Sequence, residues 1–114
     1  AQLARAIALW RAGVASEVRF WTSWFETHGL EWPSSYAARM QPAPLASWLV
    51  ELLPPAQDGT TARVLDVGAG PATGTGTFMA DHPVEIVACD PLARIYDQIV
   101  ERSGVRLPLR TVFS

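Results

Sequence analysis

The chain has no lysine and only one cysteine. All nine of its basic residues are arginines. A P-loop nucleotide-binding motif needs a lysine that reaches the phosphates, so P-loop ATPases and GTPases are excluded. Cys89 has no second cysteine with which to form an internal disulfide or a cysteine-rich metal site. His28 and His82 are far apart and belong to no cluster with ligand spacing, so we expect no metal site.

Long apolar runs are also missing, since none approaches the ~20 residues of a membrane span. Arg5 and Arg11 flank a very short apolar run at the start of the chain, which is a poor match to a signal peptide. We therefore expect a cytoplasmic protein that does not enter a membrane. Nine basic residues stand against eleven acidic ones, and no basic patch is evident, so we expect no nucleic-acid partner.

The first half of the chain predicts an N-terminal helical cap over residues 1–55. Apolar residues recur at steps of three and four from Leu3 to Phe25, which indicates an amphipathic helix over residues 2–28 with Gly29 as its C-cap. A short helical piece after Pro33 and a helix over residues 44–53 follow. The segment "PPAQDGTT" is a clear break.

The second half, residues 62–114, alternates between strand and helix patterns. "ARVLDV" and "VEIVACD" predict buried strands, and "LRTVFS" predicts the start of a third. "PLARIYDQIVERSG" predicts a helix, and "TGTFMADH" predicts a turn entering a short helix. This order is typical of an α/β protein with a Rossmann-like parallel sheet, of which only the first three strands are present.

A glycine loop follows the first strand, and an acid ends the second. Gly68 and Gly70 let the backbone turn tightly beside a ligand, and Asp90, twenty-two positions after Gly68, can accept hydrogen bonds from ribose hydroxyls. The dinucleotide fingerprint G-x-G-x-x-G would need a third glycine where Thr73 stands. Asp66, two residues before the loop, suits a positively charged ligand better than a diphosphate.

"VLDVGAGPATGTG" followed by "EIVACDPLA" resembles motif I and the following acid of class I S-adenosylmethionine-dependent methyltransferases. The resemblance covers residues 62–114, and Ala72 stands where the family often has a glycine. It implies S-adenosylmethionine as the cofactor. It also implies that Asp66 lies near the amino-acid end of that cofactor, and that the backbone of Gly68, Ala69 and Gly70 lies against its methionine and ribose parts.

The same resemblance implies that Asp90 binds the ribose hydroxyls and that Pro91 and Leu92 flank the adenine. Arg39 is a further hypothesis, as a residue that binds the cofactor's carboxylate or an acidic substrate. The methyl acceptor, a small molecule or a protein, is unknown. In the family the acceptor-side residues usually follow later strands, so no catalytic residue is named.

Two other functions remain open at this point. One is a non-catalytic cofactor-binding module that acts through a partner chain, and the other is an NAD(P)-dependent oxidoreductase. In a Rossmann-like sheet the first strand is central, so without a fourth strand it becomes an exposed edge that invites pairing. We therefore expect a fragment of a longer enzyme, a homo-oligomer formed through this edge or the N-terminal helix, or a partner chain at the edge.

Overall fold

The computed structural model describes residues 1–55 and 59–114, so residues 56–58 of the predicted break lie outside the described part. In this described part, four helices and three strands follow one another in the order α1 (Gln2–Glu26), α2 (Pro33–Met40), α3 (Ser47–Val50), β1 (Ala62–Val67), β2 (Val84–Asp90), α4 (Ala93–Ser103) and β3 (Val112–Phe113).

The strands form a parallel sheet in the order β1-β2-β3. Its main register runs from Ala62 opposite Val84 to Val67 opposite Cys89. The predicted α/β class, the parallel sheet and the first two strands are confirmed. β1 has no neighbour on its outer side among the described residues, and its side chains Leu65 and Val67 are 65% and 73% exposed.

The hydrophobic core joins the two predicted parts of the chain. The C-terminal half of α1 packs against α4, and the buried cluster consists of Trp24, Phe25, Tyr96, Ile99 and Val100. The N-terminal half of α1 extends beyond this contact, and its apolar residues Leu3, Ile7 and Trp10 are exposed. Within the described residues, no helix is long and apolar enough to cross a membrane.

The helix predicted within "TGTFMADH" is wrong. Residues 71–83 instead form bends and irregular backbone, and part of this segment lies beside residues 43–46, with a parallel bridge between Phe78 and Pro44. The Thr77 amide donates to the Ala43 carbonyl at 2.7 Å, and the Leu45 amide donates to the Phe78 carbonyl at 2.8 Å. Glycine and threonine have low helix propensity, and here they alternate, so the backbone pairs with another segment instead.

The third predicted helix is also shorter than expected, because α3 covers only Ser47–Val50 of residues 44–53. Residues 43–46, which precede α3, are extended instead of helical because they pair with residues 75–78. Helix α1 ends at Glu26, two residues early, and His28 and Gly29 both have positive φ angles. The helix after Pro33 is confirmed, and α4 ends at Gly104, which is its C-cap in the left-handed conformation.

Candidate functional site

An open cleft of about 880 Å³ lies at the carboxyl edge of the sheet, between the glycine loop, α4 and the inner face of α1. Its volume is within the range of small-molecule sites. The cleft brings together six of the seven predicted cofactor-binding residues: Gly68, Ala69, Gly70, Asp90, Pro91 and Leu92. The remaining walls come from α1, α2 and α4. A separate cavity of about 410 Å³ between α1 and residues 27–32 contains none of the predicted residues.

The glycine loop is held against the end of β2 by its own amides. Those of Gly68 and Ala69 donate to the Cys89 carbonyl at 2.9 and 3.1 Å. Gly70 has a φ of +68°, which strains any residue with a side chain, and a Cβ there would lie 3.3 Å from the Trp21 ring, so that ring would have to shift by a few tenths of an ångström. The Thr111 hydroxyl donates to the Gly70 carbonyl at 2.6 Å and ties the loop to β3.

Asp90 joins the glycine loop to the start of α4. Its Oδ2 accepts from the Gly70 amide at 3.0 Å, and its Oδ1 accepts from the Leu92 amide at 2.8 Å. The residue is only 7% exposed. A carboxylate has about four acceptor positions, so each oxygen keeps room for a further donor. Asp90 therefore fixes the shape of the cleft floor as well as lining it.

Asp66 is the one predicted residue that the structure does not bring to the cleft wall. Its Oδ2 accepts from the Thr73 hydroxyl at 2.7 Å, and Thr73 also pairs with the Thr75 hydroxyl at 3.0 Å. Asp66 thus holds the later part of the glycine loop, at Thr73, and does not line the cleft. Its charge still acts on the site, because it raises the pKa of Arg39, against the larger effect of burial.

Arg39 reaches the glycine loop from α2 and lines the cleft. One guanidinium nitrogen donates to the Ala72 carbonyl, and Nε donates to the Ser35 hydroxyl at 3.2 Å. Burial lowers the pKa of Arg39 from its ordinary value. No carboxylate within residues 1–55 and 59–114 is at ion-pair distance from it. A half-buried guanidinium without an ion-pair partner is suited to binding an anionic group of a ligand.

Gly74 has no side chain, and the Arg39 guanidinium occupies the space beside it. A Cβ at Gly74 would lie 3.0 Å from Nη2 of Arg39. The Arg39 guanidinium carbon also lies 5.9 Å from the centroid of the Trp21 ring, at the distance of a cation–π contact. Arg39 is therefore positioned by three separate elements: α1, α2 and the loop.

The sequence predicted a helical cap that includes α1, but it did not identify Glu17 of α1 or Tyr96 of α4 as residues of the cleft wall. Glu17 accepts hydrogen bonds from the Trp21 indole and the Tyr96 hydroxyl, both at 3.0 Å, and Trp10 and Phe20 line the same wall. Burial first, and then the hydrogen bond to Glu17, raise the pKa of Tyr96. The signal available in the sequence was Glu17 four residues before Trp21 on one helix face. Nothing local links either residue to Tyr96.

Within the described residues, no group of three or more histidine, cysteine, aspartate or glutamate side chains is placed to hold a metal ion. Comparisons with protein-family models, with curated proteins and with solved structures find no match to this chain. The function is therefore inferred from the geometry of the cleft.

Proposed function

We propose that this chain binds S-adenosylmethionine in the cleft, as the Rossmann-like, cofactor-binding part of a cytoplasmic methyltransferase. The observation that carries the proposal is that six of the residues implied by the sequence resemblance line one cleft at the carboxyl edge of a parallel sheet. This edge is where open α/β sheets bind their ligands.

Four residues contact different parts of the cofactor in this proposal. Asp90 accepts hydrogen bonds from the ribose hydroxyls with the acceptor positions that the two amides leave free. Leu92, at the start of α4, packs against the adenine together with Pro91. Arg39 binds the carboxylate of the methionine part, since its guanidinium carries unused N–H donors at the loop.

Asp66 contributes a negative charge next to the glycine loop, although its side chain does not line the cleft. The cofactor carries an ammonium and a sulfonium, and a carboxylate close to the loop favours both. Methyl transfer is a displacement at an activated sulfonium, so proximity and orientation are what the protein mainly supplies. The described cleft provides orientation for the cofactor, and no side chain in it is assigned as a base for the acceptor.

The first test is calorimetric titration with S-adenosylhomocysteine and, separately, with NADH. Binding of the first ligand alone supports the proposal, whereas binding of NADH alone supports an oxidoreductase instead. Failure of both to bind the folded chain contradicts the proposed cofactor site.

The role of Arg39 is tested with a second ligand that lacks the amino acid part, 5′-methylthioadenosine. Arg39→Ala should weaken S-adenosylhomocysteine by roughly tenfold or more, because a charge-assisted hydrogen bond contributes about 1.5–3 kcal/mol. The affinity for 5′-methylthioadenosine should stay within about twofold. An equal loss for both ligands would assign Arg39 to holding the loop, through Ala72, rather than to the carboxylate.

A non-catalytic module that binds the cofactor and acts through a partner is the second candidate. The exposed edge of the sheet favours it, because β1 pairs only with β2 among the described residues and its Leu65 and Val67 are exposed. Conversion of S-adenosylmethionine to S-adenosylhomocysteine in the presence of small-molecule acceptors supports the enzyme. Cofactor binding without turnover, together with association through β1, supports the module.

A further inference from the structure

The cleft contains a second carboxylate, Glu17, whose position is fixed across two helices. Its Oε2 accepts from Trp21 Nε1 on α1 and from the Tyr96 hydroxyl on α4, each at 3.0 Å. Its Oε1 receives no hydrogen bond from any residue within 1–55 and 59–114. One oxygen of this exposed residue thus accepts from two protein donors, while the other can accept from a ligand.

Aromatic rings flank Glu17 along α1. Trp10 lies seven residues before it and Trp21 four residues after it, so all three share one stripe of the helix. With a rise of 1.5 Å per residue, the two tryptophans are displaced by about 10 and 6 Å along the helix axis. Trp10 is 64% exposed, and both it and Phe20 line the cleft. A carboxylate between aromatic rings attracts a cation by direct charge and by cation–π contact.

The cleft lining includes one guanidinium and two carboxylates. Arg39 bonds to Ala72 of the glycine loop, Glu17 accepts from Tyr96 on α4, and Asp90 lies between the loop and the start of α4. Asp90 is buried and takes two backbone amides, so Glu17 is the carboxylate that a ligand reaches first. The pKa of Tyr96, raised mainly by burial, is raised further by both carboxylates, which indicates a field beside Tyr96 that favours positive charge.

We propose that Glu17, with the rings of Trp10, Phe20 and Trp21, forms a binding site for a protonated amine carried on an aromatic or apolar body. The ammonium donates to Oε1 of Glu17, and the apolar body lies on the exposed rings of α1. The site depends only on the geometry of this wall. Its further assignment, an amine as the methyl acceptor, rests on the proposed function.

The probe that tests the site is phenethylammonium, with 2-phenylethanol as its neutral counterpart. The indole N–H signals of the five tryptophans report binding in a proton–nitrogen NMR titration. The signals of Trp10 and Trp21 should move, and that of Trp48, an exposed tryptophan outside the cleft, should not. We expect phenethylammonium to bind roughly tenfold or more tightly than the alcohol, because a hydrogen bond to a charged group is the stronger kind.

Glu17→Gln is the decisive variant. Its amide oxygen still accepts from Trp21 and Tyr96, while the outward oxygen is replaced by a donor group, so the fold is kept and the acceptor is lost. The preference for the ammonium over the alcohol should fall to near unity. Glu26→Gln is the matched control, because it removes the same charge from the same helix outside the cleft, and its preference should remain that of the unmodified chain.

Three results would overturn the inference: no binding of phenethylammonium up to its solubility limit, equal affinity for the two probes, or an equal effect of the two glutamate variants. A failure of the amine site can be distinguished from a failure of the proposed function, because a separate titration of Glu17→Gln with S-adenosylhomocysteine measures cofactor binding. Retained cofactor binding with a lost ammonium preference assigns Glu17 to the amine site. Lost cofactor binding with an unchanged ammonium preference removes Glu17 from that site.

Discussion

Gly76→Ala should be among the most destabilising single-methyl substitutions in this chain. Gly76 has a φ of +86°, and a Cβ built on it would lie 2.2 Å from the Pro44 carbonyl oxygen and 2.8 Å from the Leu45 Cα. All of the nearest atoms belong to backbone, so no side chain can rotate away. The position joins residues 75–78 to residues 43–46, and that contact holds the loop beside the cleft.

The magnitude follows from two terms. A non-glycine residue in the left-handed region costs about 1–2 kcal/mol, and forcing a methyl group into packed backbone costs about 1–3 kcal/mol. The free energy of unfolding should therefore fall by about 2–5 kcal/mol, out of a total of about 5–15 kcal/mol for a domain. At about 4 °C per kcal/mol for a chain of this size, the melting temperature should fall by roughly 8–20 °C.

Two other glycines separate these terms. Gly104 has a φ of +71° with nothing within 4 Å of a Cβ, so Gly104→Ala should lose only the conformational term of about 1–2 kcal/mol. Gly13 is helical, and a Cβ there would meet open space, so Gly13→Ala should raise the free energy of unfolding by about 0.5–1 kcal/mol.

Urea unfolding followed by circular dichroism measures all three variants against the unmodified chain. The expected order of stability is Gly13→Ala, then the unmodified chain, then Gly104→Ala, then Gly76→Ala. If Gly76→Ala proved as stable as Gly104→Ala, the close packing of residues 75–78 against residues 43–46 would be refuted.

Three further predictions concern the cleft and the sheet edge. Asp90→Asn should lower the free energy of unfolding by about 1.5–3 kcal/mol, because Asp90 accepts two buried backbone amides. The control is Asp97→Asn, which loses only a solvent-exposed ion pair with Arg110 and should lower the free energy of unfolding by at most about 1 kcal/mol, as measured by urea unfolding. An equal loss of stability in the two variants would contradict the role of Asp90 in joining the glycine loop to α4. The raised pKa of Tyr96 means that the folded chain favours the neutral phenol, so this stabilisation is complete below the ordinary tyrosine pKa of about 10 and is lost as the pH rises above it. In urea titrations at alkaline pH, the unmodified chain should therefore lose stability more steeply than Tyr96→Phe, and parallel curves would count against the buried phenol. Val67→Lys should reduce self-association at high concentration by charging the unpaired β1 edge, and sedimentation showing the unmodified chain as a monomer under those conditions would remove the dimer hypothesis.

Local sequence patterns were sufficient for much of the sheet half of the chain. Apolar, β-branched runs fix where β1 and β2 lie, and the apolar stripe between Pro91 and Gly104 fixes α4. Parallel strands must bring their carboxyl ends to one edge. The loop after β1 and Asp90 at the end of β2 therefore had to meet, and the structure brings Gly70 and Asp90 within hydrogen-bond distance.

The rest of the site depended on contacts between residues distant in sequence. Residues 75–78 take their path from pairing with residues 43–46, and Arg39 reaches Ala72 from thirty-three positions away. Glu17 and Tyr96 are seventy-nine positions apart and meet only because α1 packs on α4. The sequence alone determined the strands, the glycine loop and the acid beside it, because those depend on backbone preferences and periodicity. Only the tertiary structure decided which charged and aromatic side chains face the loop across the cleft, because helix packing and turn pairing set their positions.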